Sequence, residues 1–246
     1  MFQKTTEELY FESVADAAVA VAFHRAVSRR VVVMAHGFHG NKVGGSRHFV
    51  DLARELARRG VGSLRFDQPG SGDSAGSFED ASFDTWVATI EHFARRLHAD
   101  GYQVALLGES MGGNATIAAA AKLGRDICGV ALWSPDPLLS AGDPLLERGW
   151  MEEGGQRVRW DFWWEARAVD FLDAYRRVVV PAYIVWGTAD HHILVADVRR
   201  FESQRKPGDQ VRVIEGLPHS AWPVDQWAEI MQETAEFLSE ALGPSQ

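Results

Sequence analysis

The pentapeptide G-x-S-x-G, which in a tight turn lifts a serine hydroxyl clear of the backbone, occurs twice: as Gly72-Asp73-Ser74-Ala75-Gly76 and as Gly108-Glu109-Ser110-Met111-Gly112. Their flanks separate them. Tyr102 to Gly108 is an apolar run suited to a strand, and Met111 to Leu123 is an alanine-rich helical stretch. Ser110 therefore receives a strand, a turn and a helix, whose first N–H groups lack intrahelical acceptors. Ser74 follows a polar, glycine-rich loop and precedes Ser77-Phe78-Glu79-Asp80, with no apolar strand against it, so it is expected to serve loop structure. A serine hydroxyl becomes a useful nucleophile only when a base accepts its proton and an acid orients that base. In the chain order Ser, Asp, His the base must come from His191, His192 or His219. His219 lies in Leu217-Pro218-His219-Ser220, directly after a strand-like run, and is the expected base. Asp190 ends Ile184-Val-Trp-Gly-Thr-Ala-Asp190 and is the expected acid, ahead of Asp197 on a helix and Asp209 in the Lys206-Pro207-Gly208-Asp209 turn. His191 and His192 share the loop tip of Asp190 rather than facing it. The main-chain N–H groups of Phe38 and Met111 are the expected donors to an oxyanion, and His36 is expected to stabilise its loop.

Elements must hold these groups in place. Residues 5 to 25 read as two strands, and Arg30-Val-Val-Val-Met-Ala-His36 reads as a buried one ending at Gly37. Phe49, Leu52, Ala53 and Leu56 recur at helical spacing, with Ser46 as an expected cap and Gly60 as the stop. Val61 to Asp67 is a strand, and Phe83, Trp86, Val87, Ile90, Ala94 and Leu97 form the apolar stripe of another helix. Ile127 to Trp133, Ala182 to Gly187 and Val211 to Glu215 are further strands, with helices near Val195 to Gln204 and across Trp227, Ile230, Met231, Thr234 and Leu238. Strands alternating with helices predict an α/β fold: a mostly parallel sheet with helices on both faces. The rhythm breaks at about 136–177, which is expected to be a short cap inserted into a single domain spanning residues 1–246. Within it, Trp150, Trp160, Phe162, Trp163, Trp164 and Phe171 concentrate aromatic area. Trp160, Trp163 and Trp164 are related as i, i+3 and i+4, which predicts a shared face lining a pocket above Ser110 with Phe162 pointing elsewhere. The competing role for these rings is to glue the insertion to the sheet.

Taken in order, His36-Gly37-Phe38, Gly108-Glu-Ser-Met-Gly-Gly113, Gly187-Thr-Ala-Asp190 and His219 resemble the alpha/beta-hydrolase superfamily over nearly the whole chain. Leu64-Arg65-Phe66-Asp67, with Gly70-Ser-Gly-Asp-Ser74, Gly76 and Phe78-Glu79 behind it, resembles the feruloyl or cinnamoyl esterase and monoacylglycerol-lipase-like branch. Gln68-Pro69 and Ser71 depart from the bulkier or basic residues common there, and Trp160-Asp-Phe-Trp-Trp164 has no counterpart. The resemblance implies hydrolysis of a small-molecule carboxylic ester through an acyl-serine, with no cofactor and no metal. A thioester, amide or carbon–carbon bond uses the same attack and stays open, as does a non-catalytic ligand-binding role on the same fold. A serine at the elbow disfavours reactions that need a carboxylate nucleophile.

Composition narrows the remaining classes. The 246 residues include 46% hydrophobic and 24% charged side chains, an ordinary balance for a folded chain. A formal charge of -9 repels phosphate backbones and anionic lipid, which excludes nucleic acid and membrane surfaces as first expectations. The glycines of residues 70–76 lack the Lys-Ser/Thr of a phosphate-binding loop. Cys128, the single cysteine, permits no disulfide framework. With no basic, apolar leader at Met1 to Val14 and no long apolar run, a cytoplasmic location is expected.

Overall fold

The computed structural model describes residues 7–136, 139, 150–153 and 155–244. Two antiparallel strands open the chain, β1 (Glu7–Val14) and β2 (Ala17–His24), joined by a two-residue turn in which Ala15 and Asp16 both have positive φ. Then follow β3 (Arg30–Ala35), α1 (His48–Arg58), β4 (Gly62–Phe66), α2 (Phe83–Ala99), β5 (Gln103–Glu109), α3 (Met111–Leu123) and β6 (Gly129–Trp133). The segment before the next sheet strand contains a small hairpin, β7 (Trp150–Glu153) and β8 (Gln156–Arg159), and two short helices, α4 (Trp160–Arg167) and α5 (Phe171–Arg177). β9 (Ala182–Gly187), α6 (Val195–Glu202), β10 (Gln210–Ile214) and α7 (Val224–Ala241) complete the order.

Eight strands form one sheet in the order β1-β2-β4-β3-β5-β6-β9-β10, parallel from β4 onward and antiparallel across β1-β2-β4. β3 and β5 lie at its centre, which is why Val31, Val32, Val33, Val104, Ala105 and Leu106 are apolar without alternation: both faces are covered. One face packs against α1 and α7 through Met34, Leu52, Leu56, Leu107, Trp133, Ile230 and Leu238. The other packs against α2, α3 and α5 through Val33, Trp86, Ile90, Leu106, Ala115, Ile117 and Phe171. Burying one such side chain contributes about 1.5–3 kcal/mol, so the two layers fix the strand order against the cost of ordering the chain.

Local chemistry sets the helix starts. Ser82 caps α2, its hydroxyl accepting from Thr85 N at 3.2 Å. Ser46 does not cap α1 as expected: it lies in a tight 3-10 turn, Gly45–Arg47, and Arg47 in the left-handed region starts the helix with no side-chain cap bond. Cys128 is half-buried at the edge of the α1/α7 core, and burial pushes its thiol up, away from the reactive thiolate. No described helix is long and apolar enough to cross a membrane.

In α4 the inward residues are Trp160, Phe162 and Ala166, with Trp163 partly buried against them, whereas Trp164 is 58% exposed. This corrects the shared face expected for Trp160, Trp163 and Trp164. At about 100° per residue, Phe162, Ala166, Trp163 and Trp160 occupy one arc of about 160°, and Trp164 falls beyond it. Phe162, which the spacing sent elsewhere, is wholly buried with its ring against Phe83, Trp86, Phe38 and Trp163.

Candidate active site

Ser110, Asp190, His219 and Phe38 follow β5, β9, β10 and β3 respectively, so all four emerge at the C-terminal edge of the parallel strands. In open α/β sheets this is the edge where crossovers leave a crevice.

Ser110 occupies the turn between β5 and α3 at φ 52°, ψ -124°, a strained backbone for a residue with a Cβ, at a cost of about 1–3 kcal/mol. Its neighbours hold that turn. Ser110 N donates to Trp133 O at 2.8 Å and Asn114 N donates to Ser110 O at 3.1 Å. The glycines of the pentapeptide permit close approach: a Cβ on Gly112 would lie 2.2 Å from His36 O, and one on Gly108 2.4 Å from Thr116 Oγ1. The elbow is thus pressed against the end of β3, where the loop carrying Phe38 begins. Gly37 sits so near that a Cβ there would lie 3.1 Å from Ser110 Cβ and 3.7 Å from its Oγ. Met111 is the first residue of α3, so its N–H has no intrahelical acceptor.

β10 lies three strands away from β5, beyond β6 and β9, and the loop after it must fold back to bring His219 to Ser110. Gly187 makes the crossing possible. A Cβ on Gly187 would lie 1.9 Å from Leu217 O, the carbonyl that accepts from Ala189 N at 3.1 Å. Thr188 ties the same loops, donating its N–H to Ile214 O and accepting from Gly216 N at 2.9 Å. The outcome is a continuous relay. His219 Nδ1 donates to Asp190 Oδ2 at 2.6 Å, and Ser110 Oγ lies 2.9 Å from His219 Nε2. The other carboxylate oxygen of Asp190 accepts from His192 N at 2.8 Å and Ile193 N at 3.0 Å.

The electrostatics follow from these contacts. Burial alone would raise the Asp190 carboxyl, but the His219 hydrogen bond and charge and the two backbone N–H groups outweigh it and hold the pKa below the ordinary value. Glu109, beside the serine, has no such compensation: burial pushes it up to about 7, opposed only by the charge of His219. His36 is buried and its pKa is lowered by desolvation. Its neutral ring donates from Nδ1 to Gly37 O at 2.8 Å and accepts from Gln68 N at 2.9 Å, a loop-stabilising role. A hydroxyl bonded to an imidazole, itself bonded to a buried carboxylate, can give its proton to the ring as it attacks an electrophilic carbon.

The remaining candidates lie elsewhere or are used otherwise. Asp209 stands at the opposite end of the strands, its carboxylate taken by Tyr175 Oη, Ala182 N and Lys206 N. Asp197 is in the first turn of α6. The hydroxyl of Ser74 is buried, donating to Asp67 O at 2.7 Å and accepting from Ala20 N at 2.8 Å. Residue type and spacing put His192 on the loop tip of Asp190 but did not show that its ring packs edge-on to His219, with 4.9 Å between the centroids. Nor did they mark Phe78, which meets Phe38 at 5.0 Å and builds an aromatic wall with Phe162 and Trp163 beside the loop after β3.

A central, mostly parallel sheet of this order, with a serine elbow after β5, defines an α/β-hydrolase fold. The family model described as serine aminopeptidase, S33, matches residues 26–151, and the chain belongs to that family. Solved structures with the same fold include Est1E from Butyrivibrio proteoclasticus with bound ferulic acid, at TM-score 0.83 and 21% identity over 96% of this chain and 100% of that one. A monoacylglycerol lipase from Paleococcus ferrophilus superposes at TM-score 0.75 and 21% identity, covering 95% of this chain and 99% of that one. The α/β hydrolase GrgF from Penicillium sp. sh18 gives 0.82 at 17% identity over 97% and 100%. No curated protein matches the chain in sequence. Family and fold together make it a hydrolase.

Proposed function

We propose that this chain is a serine esterase that cleaves a small or medium carboxylic ester through an acyl-serine intermediate. The observation that carries the reading is the hydrogen-bonded series Asp190, His219, Ser110, ending at a serine held in a strained turn. Ser110 Oγ attacks the ester carbonyl carbon while its proton passes to His219 Nε2. The carbonyl oxygen becomes an oxyanion and accepts from the N–H groups of Phe38 and Met111. Collapse of the tetrahedral intermediate breaks the bond to the alkoxy oxygen, which takes the proton from His219. Water then repeats the sequence against the acyl-serine, with His219 again as base. Asp190 keeps the Nδ1 proton in place and its negative charge stabilises the imidazolium. No cofactor or metal enters any step.

In this reading residues 1–246 form one catalytic unit and the segment at about 136–177, of which residues 137, 138, 140–149 and 154 lie outside the described residues, caps it. The aromatic wall of Phe38, Phe78, Phe162 and Trp163 supports an apolar, ring-bearing acyl group, in keeping with the ferulic acid bound by Est1E. The family description favours one second reading, cleavage of an aminoacyl amide by the same groups.

A fluorophosphonate probe, which phosphonylates an activated serine, tests the mechanism. Wild type and Ser74→Ala should be labelled on Ser110, and Ser110→Ala should not be labelled. An adduct on Ser74 by mass spectrometry refutes the assignment. Comparing p-nitrophenyl butyrate and methyl ferulate with an aminoacyl p-nitroanilide then separates ester from amide cleavage.

A further inference from the structure

The first serine pentapeptide, residues 72–76, and the residues just before it form a hydrogen-bonded mount for the loop that carries Phe38. We propose that the ion pair between the partly buried Lys42 and the buried Asp67 positions the Phe38 N–H for the oxyanion, and that residues 72–74 exist to hold Asp67 for this task. The inference rests on the esterase reading above, in which that N–H is one of two oxyanion donors.

The loop from His36 to Lys42 is gripped at both ends by the C-terminal end of β4 and the residues after it. At its start, His36 Nε2 accepts from Gln68 N. At its far end every polar group of Lys42 is used: its N–H donates to Asp67 Oδ1 at 2.5 Å, its ammonium to Asp67 Oδ2 at 2.6 Å, and its carbonyl accepts from Arg65 Nη1 at 2.7 Å. Between these anchors the loop turns sharply, with Gly40 N donating to Gly37 O at 3.0 Å and His39 at φ 57°. A displacement of Lys42 is therefore passed along five residues to the peptide that bears the Phe38 N–H.

Asp67 is wholly buried and is itself fixed from the G-D-S-A-G side. Asp73 N donates to Oδ2 at 2.8 Å, and the Ser74 hydroxyl donates to Asp67 O at 2.7 Å. Gly72, at φ 53°, lies so close that a Cβ would be 2.3 Å from the carboxylate carbon. The Asp73 carboxylate meets the outer side of the Lys42 ammonium at 2.6 Å. Burial acts to lower the Lys42 pKa, but the two carboxylates more than reverse it, so the cation is kept. Charge-assisted bonds of this kind are short and directional, which suits a group that must hold a donor to within fractions of an ångström.

The decisive variant is Lys42→Met/Asp67→Asn, which removes both charges together and leaves no buried ion unpaired. The probes are p-nitrophenyl butyrate turnover and an aryl boronic acid, whose boron bonds to the serine oxygen as the hydroxyl proton passes to His219, giving a tetrahedral, anionic boronate with one oxygen facing the donors. Deleting an oxyanion donor outright costs roughly 10²–10³ in kcat. Misplacing one should lower kcat about 10- to 100-fold and weaken boronate inhibition by a similar factor, with KM changed less than about twofold. Lys42→Arg, which keeps the cation and the backbone bond, should recover part of both losses, and it carries the same comparison if the double variant fails to fold. Undiminished boronate affinity, or a KM that rises in step with the loss, overturns the proposal. Failure of wild type to label on Ser110 would instead refute the esterase reading itself.

Discussion

Replacing Asp190 by asparagine tests the relay more sharply than removing it. Oδ1 of Asp190 accepts from two backbone N–H groups, His192 at 2.8 Å and Ile193 at 3.0 Å, while Oδ2 accepts from His219 Nδ1. An asparagine must place its oxygen where the two N–H groups are, because the amide NH2 there would leave two donors facing donors. Its NH2 then faces His219 Nδ1, which must become an acceptor, so the ring proton moves to Nε2 and points at Ser110. The base is lost although every heavy atom stays in place. The expected fall in kcat is roughly 10⁴, about 5.5 kcal/mol of transition-state stabilisation. Asp190→Ala leaves the tautomer free and should be no more damaging than Asp190→Asn. The assay is the acylation burst with p-nitrophenyl butyrate, with thermal unfolding as the check on folding. Turnover within tenfold of wild type, in a variant with an unchanged melting temperature, would refute the argument and return the orienting role to another carboxylate.

Glu109 gives a pH signature in stability. Its carboxyl titrates near 7 in the folded chain against an ordinary 4.5, so between these values the unfolded chain has lost a proton that the folded chain keeps. Stability must then fall as pH rises from about 4.5 to about 7, by on the order of 3 kcal/mol. Glu109→Gln should abolish that fall, and parallel melting curves of the two proteins across pH 4 to 8 would refute it. In α4, Phe162→Ala should cost about 3–5 kcal/mol in denaturant unfolding, because it empties a site walled by Phe83, Trp86 and Phe38. Trp164→Ala, at a largely exposed position, should stay within about 0.5 kcal/mol of wild type. Equal losses would show that the arc of buried residues is misplaced. Ser74→Ala leaves the N–H of Ala20 without its acceptor and should cost about 1–3 kcal/mol while labelling on Ser110 persists.

How far the sequence reached depended on whether a signal was local. The order of strands and helices was legible because an apolar run such as residues 30–35 and a stripe such as Phe83, Trp86, Val87 and Ile90 obey the periods of their own backbones, whatever packs against them. Choosing Ser110 over Ser74 was local in the same sense, since the strand before and the helix after are contiguous with the residue. The details of α4 were not legible: it carries aromatic residues on most of its circumference, so spacing alone ranked Trp164 above Phe162, and only the hollow between Phe83 and Trp86 decides which ring goes inward. The hairpin β7 and β8 was missed for a related reason, being short and set in a stretch without clear alternation. The meeting of His219 with Ser110 also needed the tertiary structure. The residues are 109 positions apart, and their contact depends on Leu217 crossing over the bare backbone of Gly187. The grip of Asp67 on Lys42 is of the same kind, because a buried charge finds its partner across space, where no sequence period records it.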